Sequence, residues 1–371
     1  MKLSEAARGR DNNFNLLRIA AAMAVVVSHS FALALGSAAN EPLHATLGIT
    51  LGSIGVHIFF ITSGFLVTGS LLSRHSALEF IWARLLRIYP ALISMTVLSV
   101  FVLGPLMTTL SPGDYFSKAE SYLYLLKNST LLHGVAYTLP GVFTANPYPH
   151  AVNGALWSMP YELGMYLILL LLWCLLRFRP HTRLRHMRLL LPLLAIGAAI
   201  NYLPRNFPSG GESYIHGLLY MFFIGAACYV LKEKIILSTP IFFASVLMLI
   251  LAAFAGQLSF FLIYNLTLPY LLFFIVFVPA GVLRQYNRLG DYSYGLYIYA
   301  FPVQQCVAAL LPQVSVWHMT ILSGLITLIF AALSWHALEQ LALRRKIACV
   351  AGSRRLLTWL TAGLFRRSSG S

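Results

Sequence analysis

Two side chains near the start of the chain have types and a spacing that could do chemistry inside an apolar environment. Arg18 and His29 lie in one apolar run, 11 residues apart. At about 100° per residue that spacing returns to within about 20° of the same helix face, with a rise of roughly 16 Å. A cation low on the stripe and an imidazole high on it could line a path between two sides of a membrane. A snorkelling arginine and a histidine bonded to a neighbouring helix would leave the same pattern. Glu162 sits about two turns into a later apolar run, at a depth like that of His29. A carboxylate there needs a partner, and a neutral histidine oriented by it can act as a general base. The competing reading is a Glu bonded to backbone or tyrosine hydroxyls.

A second constellation is cationic. Arg84 and Arg87 fall in Phe80-Ile81-Trp82-Ala83-Arg84-Leu85-Leu86-Arg87-Ile88-Tyr89-Pro90, which reads as an interfacial helix ending at Pro90. Two arginines one turn apart can grip phosphates bidentately, or anchor to anionic lipid. Ser63-Gly64-Phe65-Leu66 and then Gly69 put small residues into another apolar run. That means close helix approach or room for a slender ligand.

The elements that must position these groups follow from composition. Of 371 residues, 58% are hydrophobic and only 10% charged, and mean hydropathy is +0.75. Soluble domains carry roughly 25% charged residues, so a soluble enzyme, a disordered chain and a disulfide scaffold are excluded. The expected fold is an all-α integral membrane protein of about ten spans, near 13–35, 52–73, 89–110, 155–176, 189–203, 214–231, 239–256, 261–283, 291–311 and 316–343. The division of 239–283 is the least defined. With both termini cytoplasmic, most of the 26 Lys and Arg fall in cytoplasmic segments, including Arg8 and Arg10, Arg74, Arg177, Arg179, Arg284 and Arg344 to Lys346. The opposite side holds Lys118, Lys127 and Arg205. The formal charge of +15 is therefore a topology signal rather than a nucleic-acid groove. Ser28-His29-Ser30 interrupts the first apolar run, which argues against a cleaved signal peptide. The four cysteines form no CxxC, and neither a metal site nor a disulfide framework is indicated.

One long loop stands out, 111–154, with Tyr115, Tyr122, Tyr137, Phe143 and Tyr148. Aromatic, Asn and His side chains suit sugars, and a cap over the bundle mouth is the alternative. The chain reads as one polytopic domain, 1–345, followed by a basic cytoplasmic tail, 346–371.

Several of these motifs together resemble the membrane acyltransferase family 3. Arg18 and His29 look like its R-x10-H signature. The run Gly55 to Leu66 resembles its second-span motif, and Arg84, Arg87, Tyr89 and Pro90 its R-x-x-R-I-x-P element. Asn153-Gly154-Ala155-Leu156-Trp157-Ser158-Met159-Pro160-Tyr161-Glu162 is similar to its Leu-Trp-Ser-Leu-x-x-Glu element. Gly290 to Tyr297 resembles its late Ser-Tyr-Gly-Leu-Tyr element, and Ser334-Trp335 with Glu339 the closing one. Two departures are visible: Ala300 stands where many members have His, and Gln340-Leu341 follows Glu339 in place of a basic residue and Pro.

The resemblance implies a stand-alone enzyme of a bacterial inner membrane. It would move an acyl group, usually acetyl, from cytoplasmic acyl-CoA to a hydroxyl of an extracytoplasmic polysaccharide or lipid-linked glycan, with polysaccharide-assembly partners. Acyl-CoA is then a substrate, and no bound cofactor or metal is implied. The expected catalytic residues are His29, Glu162 and Arg18. Arg84, Arg87, Ser63, Gly64 and Tyr294 would meet the donor, and Trp157, Asn153 and Tyr148 the acceptor. A secondary transporter with a buried Arg/His/Glu path is the alternative from another class.

Overall fold

The structure is a computed structural model that describes residues 1–9, 11–74, 76–176, 182–205 and 214–368. Of the basic residues used for topology, Arg10, Arg177 and Arg179 lie outside the described residues. The side chains of Arg74, Arg205, Arg366 and Arg367 do so as well.

Each expected apolar segment is a helix: α1 (Phe14–Leu35), α2 (Leu51–Arg74), α3 (Ala77–Leu98), α4 (Met159–Leu175), α5 (Arg183–Arg205), α6 (Tyr214–Val230), α7 (Thr239–Phe254), α8 (Gln257–Phe277), α9 (Ser293–Leu310) and α10 (Val316–Ser334). Among the described residues, β pairing is limited to isolated bridges. Among the described residues, seven helical segments, those built on α1 to α5, α8 and α10, are long and apolar enough to cross a membrane, while α6 and α7 are apolar but shorter. Helix α9 belongs to neither group. Tyrosines and the pair Gln304–Gln305 dilute its apolar run, and 14 of its 18 residues are buried, so it meets protein on most sides.

The outer surface shows what solvent the bundle expects. On α10, Trp317, Ile321, Leu325, Ile329 and Leu333 are each 61–64% exposed. Spaced four apart, they form one apolar stripe that suits hydrocarbon. Inside, α1 contacts α2, α9 and α10, and α2 packs on α6. The α2–α6 contact is made by glycines. A Cβ on Gly64 would strike the Phe222 carbonyl, and one on Gly225 the backbone of Ile61. Backbones this close are the usual device of helices packing in lipid.

Local chemistry sets the ends. Ser76 Oγ accepts from the Glu79 amide at 3.3 Å to start α3, and Ser315 Oγ accepts from the His318 amide at 3.3 Å to start α10. Gly36, at φ 78°, ends α1. One expectation is corrected here: the helix carrying Arg84 and Arg87 does not stop at Pro90. It runs unbroken from Ala77 to Leu98 and continues through a π-helical turn, Ser99–Leu103. Hydroxyls from neighbouring elements attend its carbonyls, Tyr294 donating to Ile88 O at 2.9 Å and Tyr115 to Val100 O at 3.0 Å.

The 111–154 segment is a folded cap rather than a loose loop. It contains the helix Ala119–Thr130 and its own core of Tyr115, Tyr124, Leu139, Val142, Phe143 and Val152. Burial pushes the Tyr115 phenol pKa up, which keeps it a donor. Two of the five aromatics offered to sugars, Tyr115 and Phe143, are core residues, while Tyr122, Tyr137 and Tyr148 are exposed.

At the Arg18 end, distant segments meet. The terminal amine of Met1 donates to Leu237 O at 3.1 Å, Ser4 Oγ donates to Glu233 at 2.8 Å, and Asp11 pairs with Arg284. The last helix, α11 (Lys346–Ser368), docks on α3, with Trp82 Nε1 donating to Ser353 Oγ at 2.9 Å and Arg354 facing Glu79 at 3.4 Å.

Candidate active site

A cavity of about 660 Å³ opens among α1, α2, α3, α4, the start of α9 and the end of the α10 segment. It brings together six of the expected site residues: Arg18, Ser63, Arg84, Arg87, Glu162 and Tyr294. A narrow slot of about 30 Å³ adjoins it, sharing Arg18, Glu162 and Tyr294, and is walled by Phe59, Phe60, Met159 and Tyr297. The slot is therefore a constriction, not a second chamber.

The cations in this cavity are held in different ways. Arg87 spends both terminal nitrogens on carboxylates, NH1 on Glu339 and NH2 on Asp291, each at 2.5 Å. Its guanidinium also lies over the rings of Tyr294 and Trp335. Arg18 donates through Nε to Ser293 Oγ at 3.3 Å, stands 3.5 Å from Asp291, and covers the Phe59 ring. Asp291 thus bridges the two arginines, and Ser293 donates to its other oxygen at 2.5 Å. Glu339 is fully buried and also accepts from Ser334 Oγ at 3.0 Å. Buried charges survive only when paired and hydrogen-bonded in this way. Arg84 has neither carboxylate in contact; it lies over the Tyr166 ring, and its Nε has no hydrogen-bond partner.

Glu162 has partners other than the one expected. Its Oε1 accepts from Ser63 Oγ at 3.0 Å and from the Tyr166 hydroxyl. No hydrogen bond joins it to His29. The expected depth match with His29 does not hold: Glu162 lines the cavity at the Arg18 end, where α4 presents it to α2 and to the Arg84 side. Gly64 makes the α2–α6 contact, the close helix approach that its motif offered as one reading, and does not line the cavity. Tyr294 does line it, against Arg87.

His29 occupies the other end of the same α1 face. The helix is continuous from Phe14 to Leu35, so the roughly 16 Å rise between Arg18 and His29 stands. The His29 ring meets Phe301 edge to face, with centroids 5.2 Å apart, and its buried Nδ1 has no hydrogen-bond partner among the described residues. Tyr148, from the cap, touches the same Phe301 at 6.4 Å. His29 therefore sits below the cap and away from both cavities. Trp157 packs against Tyr161 at 6.1 Å. Asn153 is fully buried: its amide donates to Ile298 O at 2.9 Å, and Oδ1 accepts from the Ala155 amide at 3.1 Å. It starts the helical turn that leads into α4, with no free group facing outward. Ala300 fills the contact of α9 with Ala22, Val26 and Ala331, where a larger side chain would part the helices.

Five polar positions around the two ends of α1 escape the sequence reading. Asp291 and Glu339 stand in quoted motifs, yet nothing local marks them as the partners of Arg87. Gln304 and Gln305 were visible as amides inside an apolar run. Gln305 donates to the carbonyls of Tyr148 at 2.8 Å and Ala151 at 2.6 Å, and accepts from Asn146 at 2.7 Å. Gln304 donates to Val26 O and Ser30 Oγ, both at 2.8 Å. Glu41, buried beside α1, accepts from Ser28 Oγ and the Leu51 amide, each at 2.5 Å.

Comparison with known proteins places the chain in a family. A family model described as an acyltransferase domain matches residues 11–336. The chain is 26% identical over 351 residues to an O-acetyl transferase of Shigella phage Sf6, covering 91% of this chain and 97% of the relative. It is 30% identical over 386 residues to nodulation protein 10 of Rhizobium leguminosarum bv. viciae, covering 95% and 98%. No solved structure matches the chain. With the model spanning both ends of the α1 stripe and the cavity between α1, α3 and α9, the chain belongs to the acyltransferase-domain family and is an enzyme of acyl transfer.

Proposed function

We propose that the enzyme transfers an acyl group, most simply acetyl, from cytoplasmic acyl-CoA to a hydroxyl of an extracytoplasmic polysaccharide or lipid-linked glycan. Its setting is a bacterial cytoplasmic membrane, crossed ten times with both termini inside. The observation that carries the reading is one helix face joining two unlike sites, a cationic cavity at Arg18 and an unpartnered imidazole at His29 beneath an aromatic cap. The donor's phosphates suit the cationic end, and its slender arm suits the way up past Phe59 and Tyr297. Arg18, Ser63, Arg84, Glu162 and Tyr294 line the donor's entry, so Glu162 acts there and not on His29.

At the upper end, His29 takes the proton of the acceptor hydroxyl as its oxygen attacks the thioester carbonyl. The carbon–sulfur bond breaks, and the proton on His29 passes to the departing thiolate. An acyl-histidine route uses the same ring in two steps: the ring nitrogen first takes the acyl group as the thiolate leaves, and the hydroxyl then displaces it. Tyr148 and Trp157 offer aromatic surface to the sugar, and Asn153 positions the turn between them.

The test expresses the wild type and His29→Ala at equal membrane levels in a host lacking the enzyme. Alkali-labile acetyl esters on surface glycans are then read by mass spectrometry. Esters with the wild type alone support the reading; equal ester content with His29→Ala would falsify the role of His29.

A further inference from the structure

Five cationic side chains line the large cavity, Arg18, Arg84, Arg87, Arg344 and Lys346, against the carboxylates Glu162 and Asp291. Their charges are not equally available to a ligand. Arg87 is bound to two carboxylates at 2.5 Å, and Arg18 shares Asp291 and Ser293. Arg84, also in no ion pair among the described residues, is half-buried with its guanidinium over the Tyr166 ring. Arg344 is different. It is exposed, it ends the short helix Gln340–Arg344, and among the described residues it is in no ion pair.

Its position is also fixed from both sides. The π-turn Trp335–Glu339 before it is pinned by Glu339 on Arg87, and α11 after it is pinned to α3 through Trp82–Ser353 and Arg354–Glu79. A cation held by its neighbours at the rim of a cavity, with its own charge unspent, is arranged to meet an anion from outside. Arg345 beside it is exposed but does not line the cavity.

We infer that the Arg344–Lys346 junction is the phosphate subsite for the nucleotide end of the donor, with Arg344 as the residue that grips it. This rests on the acyl-CoA reading above. Arg87, the arginine whose sequence setting first suggests phosphate binding, instead ties α3 to α9 and to the π-turn. The subsite then sits at the mouth, where bulky phosphates remain in water while the arm enters the cavity. Guanidinium and phosphate match as a fork to an oxyanion, which gives Arg344 a larger share than a lysine there would have.

The experiment measures equilibrium binding of radiolabelled CoA to the full-length protein in neutral detergent. The wild type is compared with Arg344→Ala, Arg344→Lys and Arg345→Ala, with 3′,5′-ADP and pantetheine as competitors. The expected result is a CoA Kd raised about ten-fold or more in Arg344→Ala and partly restored in Arg344→Lys. Arg345→Ala should stay within about two-fold of wild type. In Arg344→Ala, 3′,5′-ADP should lose its power to compete while pantetheine keeps it. Equal weakening in Arg344→Ala and Arg345→Ala would overturn the subsite, since it would show only a general field. So would equal loss for 3′,5′-ADP and pantetheine. If phosphatidylglycerol added to the micelles displaces CoA from wild type but not from Arg344→Ala, the arginine is a lipid anchor and the proposal falls. If wild type binds CoA through Arg344 yet no ester forms on any glycan, the subsite stands and the acceptor reading fails. If wild type binds no CoA, the donor reading and the subsite fail together.

Discussion

The Arg18 end and the His29 end of α1 are built from opposite materials. The Arg18 end holds Arg18, Arg87, Asp291 and Glu339 in one linked set of ion pairs around a cavity of about 660 Å³. The His29 end is organised by amides and rings. Gln304 and Gln305 bind α1 and the cap, Phe301 meets both His29 and Tyr148, and the one buried carboxylate, Glu41, is taken up by Ser28 and the start of α2. The difference teaches where each kind of interaction is safe. Charges at the cavity end are held by opposite charges and hydroxyls, whereas the His29 end, where the buried carboxylate is taken up by a hydroxyl and a backbone amide, is held by neutral donors and rings.

The sharpest break between the ends is expected from His29→Ala. Turnover should fall about 10²–10⁴-fold, while thermal unfolding in detergent moves little, because the buried Nδ1 makes no hydrogen bond among the described residues. At the Arg18 end the pattern reverses. Arg87→Leu strands Glu339 and half of Asp291's pairing, and should cost about 3–5 kcal/mol of stability. The double variant Arg87→Met with Glu339→Leu should recover much of that loss, since no buried carboxylate is then left alone with the missing cation. Equal unfolding midpoints for Arg87→Leu and wild type would show that the ion-pair set is not what holds this end.

A smaller effect separates the cap from the bundle. Gln305→Leu removes three hydrogen bonds to the cap and should destabilise it by about 1–3 kcal/mol. The expected signature is a raised acceptor KM with an unchanged donor KM, and a rise in donor KM would contradict the division between the ends. The smallest change is Trp82→Phe, which deletes the single bond to Ser353. It should cost about 0.5–1.5 kcal/mol, confined to α11 and visible as faster amide exchange there. Faster exchange spread through α3 would mean that the tail supports the whole bundle end.

How much of this was legible in the sequence varies with the range of the interaction. Helices stand at all ten apolar segments because an apolar run in lipid has to satisfy its own backbone. Pro90 misled, since its effect depends on what surrounds the helix rather than on the proline alone. Glu162 misled more instructively. It lies in the cavity at the Arg18 end and not at the level of His29, because counting turns along one span says neither how that helix is set against α1 nor which neighbour the side chain faces.

The sequence by itself determined the solvent, the helical period and the shared face of Arg18 and His29, all set within one turn or one span of the residues concerned. Only the tertiary structure decided the partners. Arg87 meets Asp291 across 204 residues and Glu339 across 252, and Glu162 meets Ser63 across 99. The reason is physical. A buried charge must find a counter-charge or donors somewhere, but which ones it finds depends on how the helices pack, and no local period records that.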